Sequence, residues 1–390
     1  MIIISNYKSR TWAEIDLENV KYNYLALKNF VPKGTKTCCV LKSDAYGHGA
    51  ARVAQLLVDA GADFFAVATI DEALSLRNYG IDIPILVLGY TPPERVGELS
   101  EHNISQSLYS YEYAKLLAEH AARSKIKINV HVKIDTGMGR IGFVFRQGNE
   151  NILDELREVC SYDCFVLEGI FTHFPVADTG IAGKSITDRQ YGLFCKIISI
   201  LEENGITFNI KHCANSATTI DYPQYSLDMG RFGIALYGAM PSDTMNSDFV
   251  PKTTLTLKTV VSNVKLIRAG DTIGYGCTYV AQKDTKVATL PIGYADGILR
   301  SNSDNGTKIS INGKLCSIIG RICMDQLMVD VTGLDDLKIG DVAIIFGEGS
   351  EIDVQDFARV NNTIPYEIFC NIGARVTRIY KNEFYENKKS

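Results

Sequence analysis

Between Lys36 and about Gly238, short and mainly apolar runs alternate with stretches whose apolar positions recur at helical spacing. The runs lie at 37–42 (TCCVLK), 64–69, 84–89, 104–110, 128–135, 165–173, 208–215 and, more weakly, 225–230. Between them stand AARVAQLLVDAG, DEALSLRNYG, YEYAKLLAEHAARS and DRQYGLFCKIISILEENG, some closed by a glycine stop signal. Short apolar strands alternating with helices predict a parallel sheet covered on its faces. Eight such units in about 200 residues predict one closed (β/α)8 barrel of the TIM type. The alternative is an open doubly wound sheet. Against it, no dinucleotide-binding GxGxxG follows the first strand.

After about residue 245 the period changes to two. TTLTLKTVVSNVKLI, KVATLPIGY, KISINGKLCSII and QLMVDVTG are separated by turns such as AGD, NG and KIGD. The fold class is therefore α/β, a barrel over 11–244 followed by a mainly β domain over 245–385. A strand at TWAEIDL (11–17) could pack on either unit, and one helix is expected at DVQDFARVNN. The C-terminal stretch KNEFYENKKS is expected to fray.

In a (β/α)8 barrel, chemistry gathers at the C-terminal ends of the strands. Lys42 ends the first strand and is followed by Asp44, Tyr46 and a glycine loop holding His48. Lys133 and Asp135 end the fifth, His173 the sixth, Asn215 and Ser216 the seventh, and Arg231 follows the eighth. Within NVHVKID, alternation turns Val130, Val132 and Ile134 toward the helices and Asn129, His131, Lys133 and Asp135 toward the barrel interior. A buried lysine is costly unless it is paired or modified. Singly, each feature has an ordinary explanation: a snorkelling lysine, a satisfied core histidine, turn chemistry in GMGRIG (137–142), an aromatic of the β domain at Tyr275. Their joint placement is harder to explain that way.

Composition narrows the classes. Forty Lys and Arg against forty-five Asp and Glu leave a net charge of −5, unlike a dedicated nucleic-acid binder. No apolar stretch is long enough to span a membrane, and the N-terminal apolar run is too short for a signal peptide, so a cytoplasmic protein is expected. The ten cysteines are scattered without a CxxC pair, so they are expected to be reduced thiols, mostly filling the core, with no metal site.

VLKSDAYGHG, VKIDTGMGRIGF, EGIFTHFPVAD, ANSA, MGRFGIALYG, GYGCTY, PIGYADG, GRICMDQ and IPYE occur in this order over nearly the whole chain. On these motifs the sequence resembles the alanine racemases, pyridoxal 5′-phosphate (PLP) isomerases built from a barrel and a β domain. The resemblance implies that Lys42 bonds covalently to PLP and that Lys42 and Tyr275 are the two catalytic bases. It implies cofactor contacts from Tyr46, Arg140, His173, Asn215, Ser216, Arg231, Gly233, Ile234 and Tyr366. Substrate contacts are implied for Arg140, Tyr275, Tyr294, Met324 and Asp325. In this family Tyr275 and Met324 enter from the partner subunit of a homodimer, and Lys133 matches a position that is often carbamylated. The implied role is D-alanine supply for the peptidoglycan of the cell wall.

Elementary chemistry is consistent with these roles. Inverting a carbon centre without large motion needs a proton-handling group on each face, and a tyrosine serves when neighbouring cations lower its pKa. Arginine does not give up its proton, so Arg231 can only donate to the pyridine nitrogen. That keeps the ring a weaker electron sink and suits racemisation. Amino-acid decarboxylases of similar fold carry an acidic residue there. Pro175 and Val176 depart from the small residues expected near the substrate access path. Tyr366 fits alanine over serine. The alternatives are a serine or dual-specificity racemase and, from another class, a non-catalytic PLP-binding barrel, which would lack the β domain. His48 has no part in this reading.

Overall fold

A computed structural model describes residues 9–146 and 152–381. The expected fraying at the C-terminus concerns residues almost wholly outside the described range, and the N-terminal apolar run lies outside it altogether. The first strand, β1 (Thr11–Asp16), does not join the barrel. It pairs antiparallel with Leu255–Val260 and parallel with Thr377–Lys381, inside the six-stranded sheet of the C-terminal unit. The amphipathic helix α1 (Leu17–Lys28), capped by the Asp16 side chain on the Asn19 N–H, then carries the chain to the barrel.

The barrel strands are β2 (Lys36–Val40), β3 (Phe64–Val67), β4 (Ile85–Val87), β5 (Ile104–Leu108), β6 (Ile128–Asp135), β8 (Phe165–Phe171), β9 (Ile210–His212) and β10 (Met229–Phe232); β7 is the short Phe143–Val144 on the β6 edge. All eight pair in parallel in the order β10-β2-β3-β4-β5-β6-β8-β9. The β9–β10 seam is closed by two backbone bonds, Asp228 N–H to the Lys211 carbonyl and Arg231 N–H to the Ala214 carbonyl, each 3.0 Å. β2 to β5 are almost uniformly buried, which explains their unalternating sequence. The last strand begins at Met229 rather than Tyr225, so Arg231 lies within it, level with Cys38 of β2, rather than after it.

α2 (Lys42–Gly47) is a left-handed turn. Ser43, Asp44, Ala45 and Tyr46 have φ of 53° to 56° and ψ of 43° to 50°. Each L-residue held there costs about 1–2 kcal/mol, so the run persists only where surrounding contacts determine it. The remaining helices are α3 (Ala50–Asp59), α4 (Ile70–Asn78), α5 (Val96–Glu101), α6 (Tyr111–Ser124), α7 (Ile152–Cys160), α8 (Ile181–Glu203) and α9 (Ser216–Asp221) around the barrel. In the C-terminal unit, α10 (Val354–Val360) matches the expected helix, and α11 (Pro365–Cys370) follows it.

The C-terminal unit holds the six-stranded sheet, a three-stranded sheet (Asn263–Ile267, Thr285–Leu290, Leu327–Asp330) and a two-stranded ribbon at Thr272–Ile273 and Tyr279–Val280. No helix among the described residues is long and apolar enough to cross a membrane. All ten cysteines are free thiols, but only Cys38, Cys39, Cys213 and Cys316 are buried, so core filling accounts for fewer than expected.

Candidate active site

A cavity of about 470 Å³ opens at the C-terminal ends of the barrel strands, and Tyr366 of α11 reaches into its lining from the C-terminal unit. The left-handed turn presents Lys42 and Tyr46 to it together. Lys42 stands two residues beyond the end of β2, half-buried. Burial, and then the Arg140 cation, lower the pKa of its amine, partly opposed by Cys370 and Glu72. Tyr46 is buried and stacked on Tyr237, with ring centroids 4.7 Å apart, and Tyr366 lies 5.9 Å away at a tilt. Burial pushes the Tyr46 phenol pKa up, so it acts as a neutral hydroxyl.

Behind Tyr46 lies a small cradle. The Gly233 N–H donates to Ser216 Oγ across 2.8 Å, and a Cβ on Gly233 would sit 3.2 Å from Tyr46 Oη and 3.6 Å from Ser216 Oγ. Hydroxyls and close backbone meet there, which suits an oxyanion such as a phosphate group. Ile234 follows, fully buried. Asn215 lines the same wall, but its Oδ1 caps α9 through the Thr218 N–H.

Four cationic side chains, Lys42, Lys133, Arg140 and Arg231, line the cavity, with Asp178 at its rim. Lys133 is only 4% exposed and lies 5.5 Å from the Phe171 ring centroid. Its pKa is lowered to about 7, by burial first and then by Arg140 and Arg231, with Asp135 pulling the other way. Asp135 also builds the loop that carries Arg140. Its Oδ1 accepts from Gly137 N–H at 2.8 Å and its Oδ2 from Gly139 N–H at 2.9 Å.

Arg231 is buried beneath this layer. Its Nη2 donates to the carbonyls of Thr172 (3.0 Å) and Cys213 (3.1 Å) and lies 3.4 Å from His173 Nδ1; its Nη1 donates to His212 Nδ1 at 2.9 Å. His212 Nε2 in turn meets His131 Nδ1 at 2.9 Å, and His131 Nε2 meets Glu168 Oε2 at 2.9 Å. Burial, and next the Arg231 charge, hold His173 and His212 well below the ordinary histidine pKa. His212 and Glu168 were not singled out from the sequence. Alternation in FVLEGIFTH and FNIKHCAN places both on strands, but only the closed barrel shows them meeting His131. His48 also finds its place. It is fully buried, bonded to the Tyr46 carbonyl (2.9 Å) and to Thr254 Oγ1 (2.8 Å), where it pins the end of the left-handed turn.

The other expected site residues do not line this cavity within one chain. Tyr275 is 70% exposed, on a tight turn between Gly274 and Gly276. A Cβ on either glycine would press on Arg321, so this turn packs against GRICMDQ. Met324 and Tyr294, both exposed, lie on the neighbouring loops, joined by bonds from Tyr294 N–H to the Cys323 carbonyl and from Ala295 N–H to the Met324 carbonyl. Arg375 holds Asp325 (2.7 Å) and the buried Asp296 (2.8 Å) beside them. These four residues thus gather on the C-terminal unit, apart from Lys42.

Comparison with known proteins gives a consistent picture. Residues 15–241 match the family described as alanine racemase, N-terminal domain, and residues 254–380 match alanine racemase, C-terminal domain. An alanine racemase of Desulforamulus reducens is 41% identical over 374 residues, 96% of this chain and 99% of that protein. One from Clostridium tetani is 42% identical over 372 residues, covering 95% of each. Among solved structures, alanine racemase of Clostridium difficile 630 superposes with a TM-score of 0.90 at 41% identity, over 96% of both chains. A histidine racemase of Leuconostoc mesenteroides subsp. sake matches at 0.82 and 30%, over 96% of this chain and all of that one.

Proposed function

The chain belongs to the alanine racemase family, and on that premise we propose that it interconverts L- and D-alanine with PLP, using Lys42 and Tyr275 as the two bases. The observation that carries the reading is convergence: Lys42, the oxyanion cradle and the buried Arg231 face a single cavity at the barrel mouth. The residues fit the cofactor. Tyr46, Ser216 and the Gly233 N–H would hold the phosphate, Lys42 the aldehyde carbon, and Arg231 the ring nitrogen. When bound, PLP supplies an electron sink next to the substrate α-carbon.

The protein's own part is positioning and proton transfer. Burial and the Arg140 cation favour a neutral Lys42 amine, able to take or return a proton at one face of the α-carbon. Arg231 is locked by carbonyls and by His212 and can only donate, so it would leave a ring nitrogen held against it without a proton. Arg140, which lines the cavity, would offer its cation to the substrate carboxylate and the cofactor phenolic oxygen. The opposite face needs the Tyr275 hydroxyl, which a single chain leaves exposed. In this reading it comes from the partner subunit of a homodimer, accompanied by Met324, Tyr294 and Asp325. The domain division at about residue 244 and a cytoplasmic role in supplying D-alanine to the cell wall belong to the same proposal.

A racemisation assay with added PLP tests it, using L-alanine, L-serine and L-histidine side by side. Alanine turnover well above the others is expected. Turnover of serine or histidine alone overturns the substrate assignment, and none at all overturns the function.

A further inference from the structure

Four successive left-handed residues next to the lysine require something to hold them, and the neighbouring helix supplies it. Glu72 is the third residue of α4 and forms the usual reciprocal cap with Thr69: the Glu72 N–H donates to Thr69 Oγ1 at 3.3 Å, and Glu72 Oε2 accepts from the N–H groups of Ala68 (2.7 Å) and Thr69 (3.3 Å). An ordinary capping box leaves the other oxygen to water. Here Oε1 accepts the Ser43 N–H across 2.6 Å, the first peptide of the left-handed run.

From this we propose that Glu72 is a positioning residue for Lys42: its carboxylate ties the left-handed turn to α4 and so fixes where the Lys42 side chain enters the cavity. The inference rests on the reading of Lys42 given above. Three N–H donors from two separate elements converge on one carboxylate, and Ala68, one of the donors, itself lines the cavity. A glutamine keeps the shape but offers one oxygen in place of two, and its NH2 group would face an N–H donor. The far end of the turn is held independently, by His48 on the Tyr46 carbonyl and by Arg378 on the Gly47 carbonyl at 3.0 Å. Loss of Glu72 therefore frees the lysine end while Tyr46 and its phosphate cradle stay anchored.

The test compares Glu72→Gln and Glu72→Ala with Thr69→Ala, which weakens the same helix cap but leaves the Ser43 bond. In the full-length holoenzyme, both Glu72 variants are expected to lose roughly ten- to a hundredfold in kcat with KM changed less than about threefold, because the reacting amine is misplaced and not the binding groups. Hydrogen exchange of segment 41–49 is expected to quicken in these variants only. Thr69→Ala is expected to loosen residues 70–78 and keep kcat. Wild-type kcat and unchanged exchange of 41–49 in Glu72→Ala overturn the proposal, as does an equal loss of kcat in Thr69→Ala. An inactive wild type would instead overturn the racemase reading, and the exchange result then decides this inference alone.

Discussion

Arg231 donates from Nη1 to Nδ1 of His212 across 2.9 Å, and that one bond dictates protons three residues deep into the barrel. Arginine has no lone pair to offer, so Nδ1 of His212 is bare and its proton sits on Nε2. That proton faces Nδ1 of His131, whose Nε2–H then points at Glu168. Burial would raise the Glu168 pKa, but the bonds from His131 and Ser105 lower it overall, so the series ends in a carboxylate. Nitrogen-15 spectra of histidine-labelled protein should therefore show His212 as a neutral Nε2–H tautomer from pH 8 down to below the ordinary histidine pKa of about 6.5. An imidazolium signal from His212 at pH 7 would refute the assignment.

Replacing Tyr275 by Phe removes one hydroxyl from an exposed turn, so stability should hardly change. If that hydroxyl is the second base, kcat should fall by between about 10² and 10⁴. Solvent deuterium should then enter one enantiomer's product far more slowly than the other's. Near wild-type, symmetric exchange would count against the role.

The proposed sharing of sites across a two-fold axis has its own signature. Lys42→Ala and Tyr275→Phe should each be nearly inactive, yet co-refolding them in equal amounts should restore about a quarter of wild-type activity. Half of the dimers would be mixed, and each would hold one intact site of two. If both bases came from the same chain, mixing would restore nothing.

A methyl group on Gly233 would lie 3.2 Å from Tyr46 Oη and 3.6 Å from Ser216 Oγ, in the space assigned to phosphate. Gly233→Ala should weaken PLP binding by about tenfold or more (at least ~1.4 kcal/mol) while leaving the melting temperature of the cofactor-free protein within a few degrees. Titration of the visible band of bound cofactor measures the first and calorimetry the second. Unchanged affinity would remove the cradle from the site.

With its pKa near 7, Lys133 exposes a neutral amine to dissolved CO2 under ordinary conditions. Its nitrogen can bond to the carbon of CO2 and release a proton, converting one of four crowded cations into an anion beside Arg140. Activity should rise with bicarbonate near neutral pH, and density at the Lys133 nitrogen should show the added carbamate atoms. A bare amine in density at neutral pH with CO2 present contradicts it.

Stability should fall on mild acidification. His48 is held neutral to about pH 4 because burial outweighs its bonds to the turn backbone. In the unfolded chain it takes a proton below about 6.5. Between these values the unfolded state binds more protons, so stability falls as pH drops. His173 and His212, both shifted downward, act in the same direction. The urea midpoint should decline from pH 7 to 5, above the range where carboxylates protonate.

The barrel was legible in the sequence because parallel strands buried on both faces leave unbroken apolar runs, and because Lys42, Lys133, His173 and Arg231 fall within or just beyond the C-terminal parts of those runs. β1 was ambiguous because a strand's alternation does not say which sheet it joins; the pairing with Leu255–Val260 decides that. The left-handed turn left no signal, since Ser-Asp-Ala-Tyr has no glycine to mark positive φ and is shaped by contacts distant in sequence. For the same reason the parts played by Glu72 and His48 were invisible: one is an ordinary capping residue, the other an ordinary loop histidine, until the partners on Ser43 and Thr254 appear.

The left-handed turn also sets a schedule. It is braced by Glu72, by Thr254 through His48, by the Phe369 backbone, which leaves no room for a side chain at Gly47, and by Arg378 on the Gly47 carbonyl. The last of these braces, Arg378, lies 331 residues beyond the glycine it holds. A nascent chain on the ribosome thus carries Lys42 through more than three hundred further residues without the geometry that places it in the cavity. That geometry arrives with the strand Thr377–Lys381, and a chain cut short before Arg378 would carry every barrel residue of the site and lack a brace of its shape.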